Sequence, residues 1–320
     1  MFALAVHGGA GVWEESEHEA GLAGVRRAAE AGAAVLRAGG SALDAVVAAA
    51  CVLEDDPHFN AGTGATLNLR GEVECDASVM TGHDLAAGAV GAVRGVKNPV
   101  LLARRVMEET DHVLVAGEGA EALARAWDLF TGNEPVPYRL ERWRKAVAEL
   151  SRAGVDPANP QKLAALFRAH PELGASRRGT IGAVACDAAG NAAVATSTGG
   201  VLLKLPGRVG DTPIPGAGSY ASAGGAASAT GRGELMMRAL TTKAACERMD
   251  SGEAAQRAAE AALAHTAKLV GDDLGLITVD VRGRVGAAHA TRFMPHAFAV
   301  EGQPVVARLA VGAAGAHSAP

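Results

Sequence analysis

Residues 179–187, GTIGAVACD, mark the place where a polar, proline-containing segment gives way to a run of small and β-branched residues. A turn, AAGN, follows at 188–191, and a second apolar run, AAVATST, covers 192–198. Two such runs around a glycine-containing turn predict a β-hairpin. The hairpin would return the hydroxyl residues at 196–198 to the neighbourhood of Thr180.

Strand and helix patterns alternate on both sides of this hairpin. Before it they predict strands at 2–6, 65–70, 72–80 and 85–93, with a turn at Arg70-Gly71, and helices at 22–36, 42–53, 98–109 and 118–128, the second of them capped by Ser41. Residues 130–179 are predicted to be a linker region with helices. After the hairpin come helices at 233–248 and 252–270 and a last hairpin at 274–290. This order predicts an α+β fold with mainly antiparallel sheets covered by helices.

Composition excludes several classes of protein. The chain has 320 residues and a net charge of −5, which argues against binding nucleic acid or an anionic membrane. Its longest uncharged apolar stretch, Ala45–Leu53, is nine residues, far short of the roughly 20 needed to span a bilayer. The first residues do not resemble a secretory signal, so we expect a cytoplasmic protein. The four cysteines lack metal or disulfide spacing and are expected to be reduced.

Thr180 is the candidate nucleophile. A threonine hydroxyl needs a base, and a threonine at a chain N-terminus has one in its own α-amine, which titrates at about 7.7 to 8.0. Cleavage of the Gly179–Thr180 bond would create that amine. Glycine at 179 permits backbone conformations closed to other residues, so the hydroxyl of Thr180 could attack its own preceding carbonyl. The alternative is that Thr180 merely opens a strand.

Three further segments supply groups that suit amide hydrolysis. Thr198 offers a hydroxyl that can orient Thr180. Arg208 and Asp211, in a glycine-rich loop, can bind the carboxylate and the ammonium of an amino acid, although a surface ion pair is the alternative. Thr230 and Gly231 offer a hydroxyl and an amide that could stabilise an oxyanion.

Two other patterns have competing explanations. Gly117–Ala122 reads GEGAEA after a predicted strand, which is compatible with a nucleotide-binding turn, but two glutamates there would repel a pyrophosphate. The charged stretch YRLERWRK, 138–145, is interpreted as the solvated face of a helix.

Together these motifs resemble the plant-type, threonine-dependent L-asparaginase and isoaspartyl peptidase family of N-terminal nucleophile hydrolases, which also contains the glycosylasparaginases. The resemblance rests on seven segments spread over most of the chain: HGGAG at 7–11, LEDDPHFNAGTGA at 53–65, ECDASVM at 74–80, GTIGAVACD at 179–187, TSTGG at 196–200, GRVGDTPIPGAGSYA at 207–221 and TGRGE at 230–234.

The resemblance implies a single αββα domain of four layers over 1–320 and self-cleavage between Gly179 and Thr180. The products would be an α fragment, 1–179, and a β fragment, 180–320, which stay associated and form a dimer of cleaved pairs. The implied roles are nucleophile for Thr180, its hydroxyl neighbour for Thr198, substrate binding for Arg208 and Asp211, and an oxyanion hole for Thr230 and Gly231.

The implied activity is hydrolysis of L-asparagine and of β-aspartyl dipeptides without a catalytic cofactor, with N4-(β-N-acetylglucosaminyl)-L-asparagine as the alternative substrate. The resemblance also gives the 7–11 loop a part in placing the cleavage site. Where many relatives carry an acidic or amide pair near the substrate, this chain has Ser222-Ala223. A structural sodium would bind backbone carbonyls of Leu53, Glu54, Asp56, Phe59, Ala61 and Thr63.

Overall fold

The computed structural model of the chain describes residues 1–152 and 179–311. Helix α1, Glu15–Arg37, and helix α2, Ala42–Asp55, follow strand β1, Ala3–His7. Glycine, alanine and larger apolar residues recur on the buried side of α1 at helical spacing, which allows close packing against α2. The oxygen of Ser41 accepts a hydrogen bond from the Asp44 amide (3.1 Å), which confirms the predicted cap of α2.

Twelve strands form two sheets in the described part of the chain. The first sheet has the order β12-β11-β1-β5-β6-β2-β3-β4, and the second has the order β10-β9-β8-β7. All neighbouring strands are antiparallel except β3 and β4, so the prediction of mainly antiparallel sheets is confirmed. The bounds not yet given are β2 Cys75–Thr81, β3 Ala87–Val93, β4 Leu114–Ala116, β5 Ile181–Cys186, β6 Ala192–Thr198, β7 Ser219–Ser222, β8 Gly225–Gly231, β9 Leu274–Asp280, β10 Val285–His289, β11 His296–Val300 and β12 Val306–Arg308.

Helices cover the outer faces of both sheets. Helices α1, α2 and α3, Pro99–Glu109, pack on the first sheet, and α7, Thr241–Asp250, and α8, Ala255–Val270, pack on the second. The inner faces meet through small side chains, including Val184 of β5 and Ile277 of β9. Strands covered on both sides can be continuously apolar, which explains why every residue of β5 is buried.

Three expectations from the sequence need correction. The strand predicted at 65–70 contributes only a single bridge, Leu67 to Val73, because the Leu67 carbonyl and the Leu69 amide bond instead to Leu203 and Lys204. The helix predicted at 233–248 is two helices, α6, Gly233–Ala239, and α7, since Leu240 between them has a φ of +49°.

The third correction concerns the charged helix. The remaining helices are α4, Gly117–Ala126, and α5, Pro137–Arg152, which lies in the predicted linker region. Arg139 of α5 is 1% exposed, so the charged stretch is not simply a solvated face. Residues 153–178 of the predicted linker lie outside the described residues. None of the helices described is long and apolar enough to span a membrane.

Candidate active site

The hairpin of β5 and β6 brings the two central threonines together. Ile181 pairs with Ser197, and the same antiparallel register places Thr180 opposite Thr198. Thr180 is 4% exposed, and the oxygen of Thr198 accepts a hydrogen bond from the Gly200 amide (3.0 Å). That bond fixes the Thr198 hydroxyl at the end of its strand.

Most of the predicted site residues line one small cavity. The residues that line it are Gly179, Thr180, Thr198, Gly200, Val201, Arg208, Asp211, Gly231 and Gly233. Thr230 does not line the cavity, but its oxygen lies so close to Gly179 that a side chain at 179 would overlap with it. The Thr230 oxygen accepts from the Ala10 amide (3.1 Å), so the hydroxyl can still donate its own hydrogen to another acceptor. The structure thus brings together every residue predicted for catalysis.

Two glycines near the cavity allow the backbone to pack more closely than a side chain would permit. Gly231 has a φ of +129°, and a Cβ there would overlap with the Asp273 carbonyl. Gly9, in the 7–11 loop, has a φ of +107°, and a Cβ there would lie 2.5 Å from the Gly179 carbonyl oxygen. Both positions therefore require glycine for backbone conformation and for space.

Arg208 and Asp211 both face the cavity, but they do not pair with each other. The Arg208 guanidinium donates from Nε and Nη2 to Glu234 Oε1 (3.2 and 2.8 Å). Asp211 is 3% exposed, which excludes the alternative of a surface ion pair. The edge of the guanidinium formed by Nη1 and Nη2 is the one that remains to bind a carboxylate in a bidentate manner.

The Asp211 carboxylate is only partly hydrogen-bonded. Its Oδ2 is buried without a hydrogen-bond partner among the described residues. Burial raises the pKa of Asp211 to about 7, and the nearby Arg208 charge opposes that rise. A buried carboxylate with a free oxygen attracts a cationic group, so this position suits an ammonium.

His7, which pairs with Gly182 of β5, belongs to a chain of hydrogen-bonded polar side chains. Its Nε2 hydrogen-bonds Ser228 Oγ (3.0 Å), which in turn contacts Thr196 Oγ1 (2.9 Å). Complete burial lowers the pKa of His7 to about 3, which keeps the imidazole neutral. A neutral imidazole can donate or accept in this chain according to its tautomer.

Asn60 braces the turn after Thr198. Its side-chain amide donates to the Gly200 carbonyl (2.7 Å), and its backbone carbonyl accepts from the Gly199 amide (2.9 Å). The Asn60 side-chain oxygen also accepts from the Thr66 amide (2.8 Å). Asn60 thereby connects the predicted sodium loop, residues 53–63, with the turn at 199–200.

The sodium loop offers carbonyls that suit a hard cation. Leu53 and Glu54 belong to the last turn of α2, and their carbonyls have no helical donor. The donor to Leu53 would be the amide of residue 57, which is a proline without an amide hydrogen, and the donor to Glu54 would be the His58 amide, which donates instead to the Asp56 side chain (2.9 Å). Such carbonyls can bind a hard cation. Of the other carbonyls, that of Phe59 already accepts from the buried Arg139 guanidinium (3.3 Å). The carbonyls of Asp56 and Ala61 accept from the amides at 59 and 64, and each retains a second lone pair.

Two sequence patterns do not join the site. Ser222 and Ala223 line a different cavity from the one that contains Thr180, and the Ser222 hydroxyl donates to Asp250 (2.8 Å). The Gly117–Ala122 stretch lies wholly within α4, which begins directly after β4 with no turn between them. Its Glu121 pairs with Arg94 (2.8 Å) at the start of α4, where a pyrophosphate would have to lie.

Sequence reasoning assigned no role to several residues that surround Arg208 and Asp211. Their contacts join segments more than 20 residues apart, and no local pattern reports such contacts. One signal was available: polar residues alternate in the otherwise apolar β2 segment. The residues in question are Glu74, Asp76, Ser78 and Glu234.

Comparison with known proteins adds an independent line of evidence. A family model described as asparaginase matches residues 1–306. The plant-type L-asparaginase of Pyrococcus abyssi is 47% identical over 305 residues, covering 94% of this chain and 97% of that protein. The isoaspartyl peptidase/L-asparaginases of Danio rerio and Homo sapiens are each 41% identical, over 309 and 302 residues, covering 94% of this chain and 93% and 94% of theirs.

Matches of this extent agree with the site geometry, in which segments distant in sequence converge on the Gly179–Thr180 junction. The chain therefore belongs to the asparaginase family.

Proposed function

We propose that this chain is an autoprocessing amidohydrolase that converts L-asparagine to L-aspartate and ammonia and hydrolyses β-aspartyl dipeptides. The observation that carries the proposal is the cavity in which Thr180, Thr198, Arg208, Asp211 and Gly231 meet. It combines hydroxyls for acyl transfer with one cation and one anion for an amino-acid head group. The activities named for the relatives match that chemistry.

The first reaction is cleavage of the chain itself. The Thr180 oxygen adds to the Gly179 carbonyl, the peptide C–N bond breaks, and the nitrogen takes up a proton to become the α-amine of Thr180. Water then hydrolyses the resulting ester and leaves a carboxylate on Gly179. The hydroxyl of Thr230 is positioned beside Gly179 to stabilise the developing oxyanion.

The same groups then act on substrate. Departure of Gly179 frees the space beside Thr230, and the side-chain carbonyl of the substrate takes that space. The α-amine of Thr180 accepts the proton of its own hydroxyl, the oxygen attacks the carbonyl, and ammonia or an amino acid leaves with a proton. Water releases aspartate and regenerates Thr180.

Recognition of the substrate follows from the two charged residues. Arg208 binds the α-carboxylate through its free edge, and the Asp211 carboxylate, which lines the same cavity, accepts from the α-ammonium. Charge-assisted hydrogen bonds of this kind contribute about 1.5 to 3 kcal/mol each. This pair selects an α-amino acid over other amides.

We propose the four-layer αββα arrangement for the fold as a whole. It is supported by helices on the outer faces and by contact between the inner faces of the two sheets. The first sheet also interleaves the two fragments: β1 and β2, from before the cleavage site, flank β5 and β6, from after it. Hydrogen bonds between the fragments would hold them together after cleavage, and on the family resemblance two cleaved pairs form the dimer.

We further propose that a sodium ion binds the backbone carbonyls of the 53–63 loop. The carbonyls of Leu53 and Glu54 support this assignment, because they have no helical donor in the described part of the chain. The ion would hold the loop that contains Asn60, and no step of the reaction passes through it.

Mass spectrometry and an activity assay together test the proposal. Freshly purified protein should give two fragments, the second beginning at Thr180, and should release aspartate from L-asparagine and from a β-aspartyl dipeptide. Thr180→Ala should give one uncut and inactive chain. An intact wild-type chain that still releases aspartate would refute the mechanism, and faster turnover of N-acetylglucosaminyl-asparagine would place the chain with the glycosylasparaginases.

A further inference from the structure

Strand β2 and the residue before it present three polar side chains to one loop, residues 207–212, which we name the substrate loop. Both carboxylate oxygens of Glu74 accept from the Gly207 amide (3.3 and 3.1 Å). Asp76 Oδ2 accepts from the Gly210 amide (2.9 Å). Ser78 Oγ donates to the Thr212 carbonyl (2.7 Å).

These contacts bracket the two residues that recognise substrate. The bonds to Gly207 and Gly210 lie on either side of Arg208, and those to Gly210 and Thr212 lie on either side of Asp211. Alternate residues of a strand share one face, so a spacing of two aims all three side chains in the same direction. Asp76 is also the cross-strand partner of Thr198, which places that face on the side of the candidate site.

We propose that Glu74, Asp76 and Ser78 position the substrate loop, and that Asp76 is the principal positioning residue for Arg208 and Asp211. The inference rests on the proposed function and assigns a role to the ECDASVM motif, 74–80. None of the three side chains needs to touch substrate. Their effect is to hold the cation and the anion of the site at a fixed separation.

Asp76 is the most constrained of the three. Its side chain is fully buried, and its two oxygens accept from different backbone amides, Gly210 (2.9 Å) and Ala92 (2.8 Å). An ionised carboxylate can accept both bonds, whereas an asparagine amide can accept only on its oxygen. Asp76→Asn therefore leaves one of the two amides facing an NH2 group and releases either the loop or its anchor at Ala92.

The charge of Asp76 also acts on Asp211. Burial is the main cause of the raised pKa of Asp211, and the negative charges of Asp76 and Glu234 add to it, while Arg208 opposes it. Removing the Asp76 charge should therefore lower the pKa of Asp211. A role limited to stability would not shift the pH dependence of substrate binding, so this effect separates positioning from folding.

The experiment compares mature Asp76→Asn with a matched variant, Asp280→Asn. Asp280 is also buried, at 2% exposure, and also accepts from backbone amides, those of Ala255, Arg282 and Arg284, but it has no bond to the substrate loop. For Asp76→Asn we expect the KM for L-asparagine to rise roughly tenfold with kcat within about threefold. We also expect a shift to lower pH in the midpoint of the kcat/KM ratio for L-asparagine over succinamate, its analogue without the α-ammonium, because the titration of the Thr180 α-amine cancels in that ratio. Asp280→Asn should change neither.

Ser78→Ala provides the second variant. It removes the donor to the Thr212 carbonyl without changing charge, so KM should rise roughly threefold and the pH midpoint should stay in place. If Asp76→Asn does not fold or does not cleave itself, the KM of Ser78→Ala tests the inference in its place. The inference is overturned if the processed variants keep the wild-type KM and pH midpoint, or if Asp280→Asn has the same effect. An inactive but processed wild type would instead refute the proposed function.

Discussion

The selectivity for an α-amino acid over its desamino analogue should disappear in acid. L-asparagine has an α-ammonium, and succinamate is the same molecule without it, so only the first can form an ion pair with the Asp211 carboxylate. The pKa of Asp211 is about 7, which leaves about nine tenths of the carboxyl groups ionised at pH 8 and about one tenth at pH 6. A neutral carboxyl cannot form the ion pair.

The expected magnitude follows from that titration. At pH 8 the charge-assisted contact, about 1.5 to 3 kcal/mol, should favour L-asparagine over succinamate by roughly 10- to 150-fold in kcat/KM. Between pH 8 and pH 6 this ratio should fall by up to about tenfold, in proportion to the ionised fraction of Asp211 and toward a limit of 1.

The ratio of kcat/KM for the two substrates isolates the effect of Asp211 ionisation. The α-amine of Thr180 must also lose a proton to act as base, but it acts equally on both substrates and cancels. The assay measures kcat/KM for each compound from pH 5.5 to 8 at constant ionic strength, in the wild type and in Asp211→Asn. A ratio that stays constant with pH in the wild type, or that is the same in Asp211→Asn, would refute the assignment.

The remaining predictions concern stability and processing. Because the pKa of Asp211 is raised from 3.8 to about 7, the folded chain binds this proton more tightly than the unfolded chain, and the free energy of unfolding falls as pH rises through this range. Asp211→Asn should therefore raise Tm by a few degrees at pH 8, seen by calorimetry, and give no gain at pH 4; an equal gain at both would contradict the titration. Gly179→Ala and Gly9→Ala should slow cleavage at least tenfold in a mass-spectrometric time course, because the added Cβ would overlap with Thr230 or with Gly179 itself. Gly39→Ala, at a similar positive φ with no neighbour within 4 Å, is the matched control and should process normally. Sodium chloride should give a higher Tm than choline chloride of equal ionic strength, and equal values would argue against the ion.

Local chemistry made the central part of the fold predictable. The hairpin around residues 188–191 and the Ser41 cap depend on turn and capping preferences that act over a few residues, and both are present. Thr180, Thr198 and Thr230 were identifiable because Thr180 follows a glycine at the start of a strand, and because the motifs around all three resemble those of a known family. Their convergence depended on tertiary packing, which the sequence patterns alone did not specify.

The parts that escaped prediction all depend on distant partners. Residues 65–70 have strand character, yet they bond to the 203–204 turn, which lies more than 130 residues away. The role of Asp76 could not be predicted because a single carboxylate in a strand has no partner nearby in sequence. Its partners are the backbone amides of Gly210 and Ala92, which only the folded chain brings to it. Arg139 was misjudged for the same reason, since only the folded chain brings its guanidinium to the Phe59 carbonyl.

The contact between Gly179 and Thr230 would make self-cleavage depend on correct folding. In the proposed mechanism Gly179 departs from beside the Thr230 hydroxyl, which would then serve every turnover, so cleavage would require that the two sheets have docked correctly. A misassembled copy would stay inert, because the nitrogen of Thr180 that acts as the base would remain in a peptide bond. Since hydrolysis of that bond is not reversed, the number of working centres in a sample would record how many molecules folded properly.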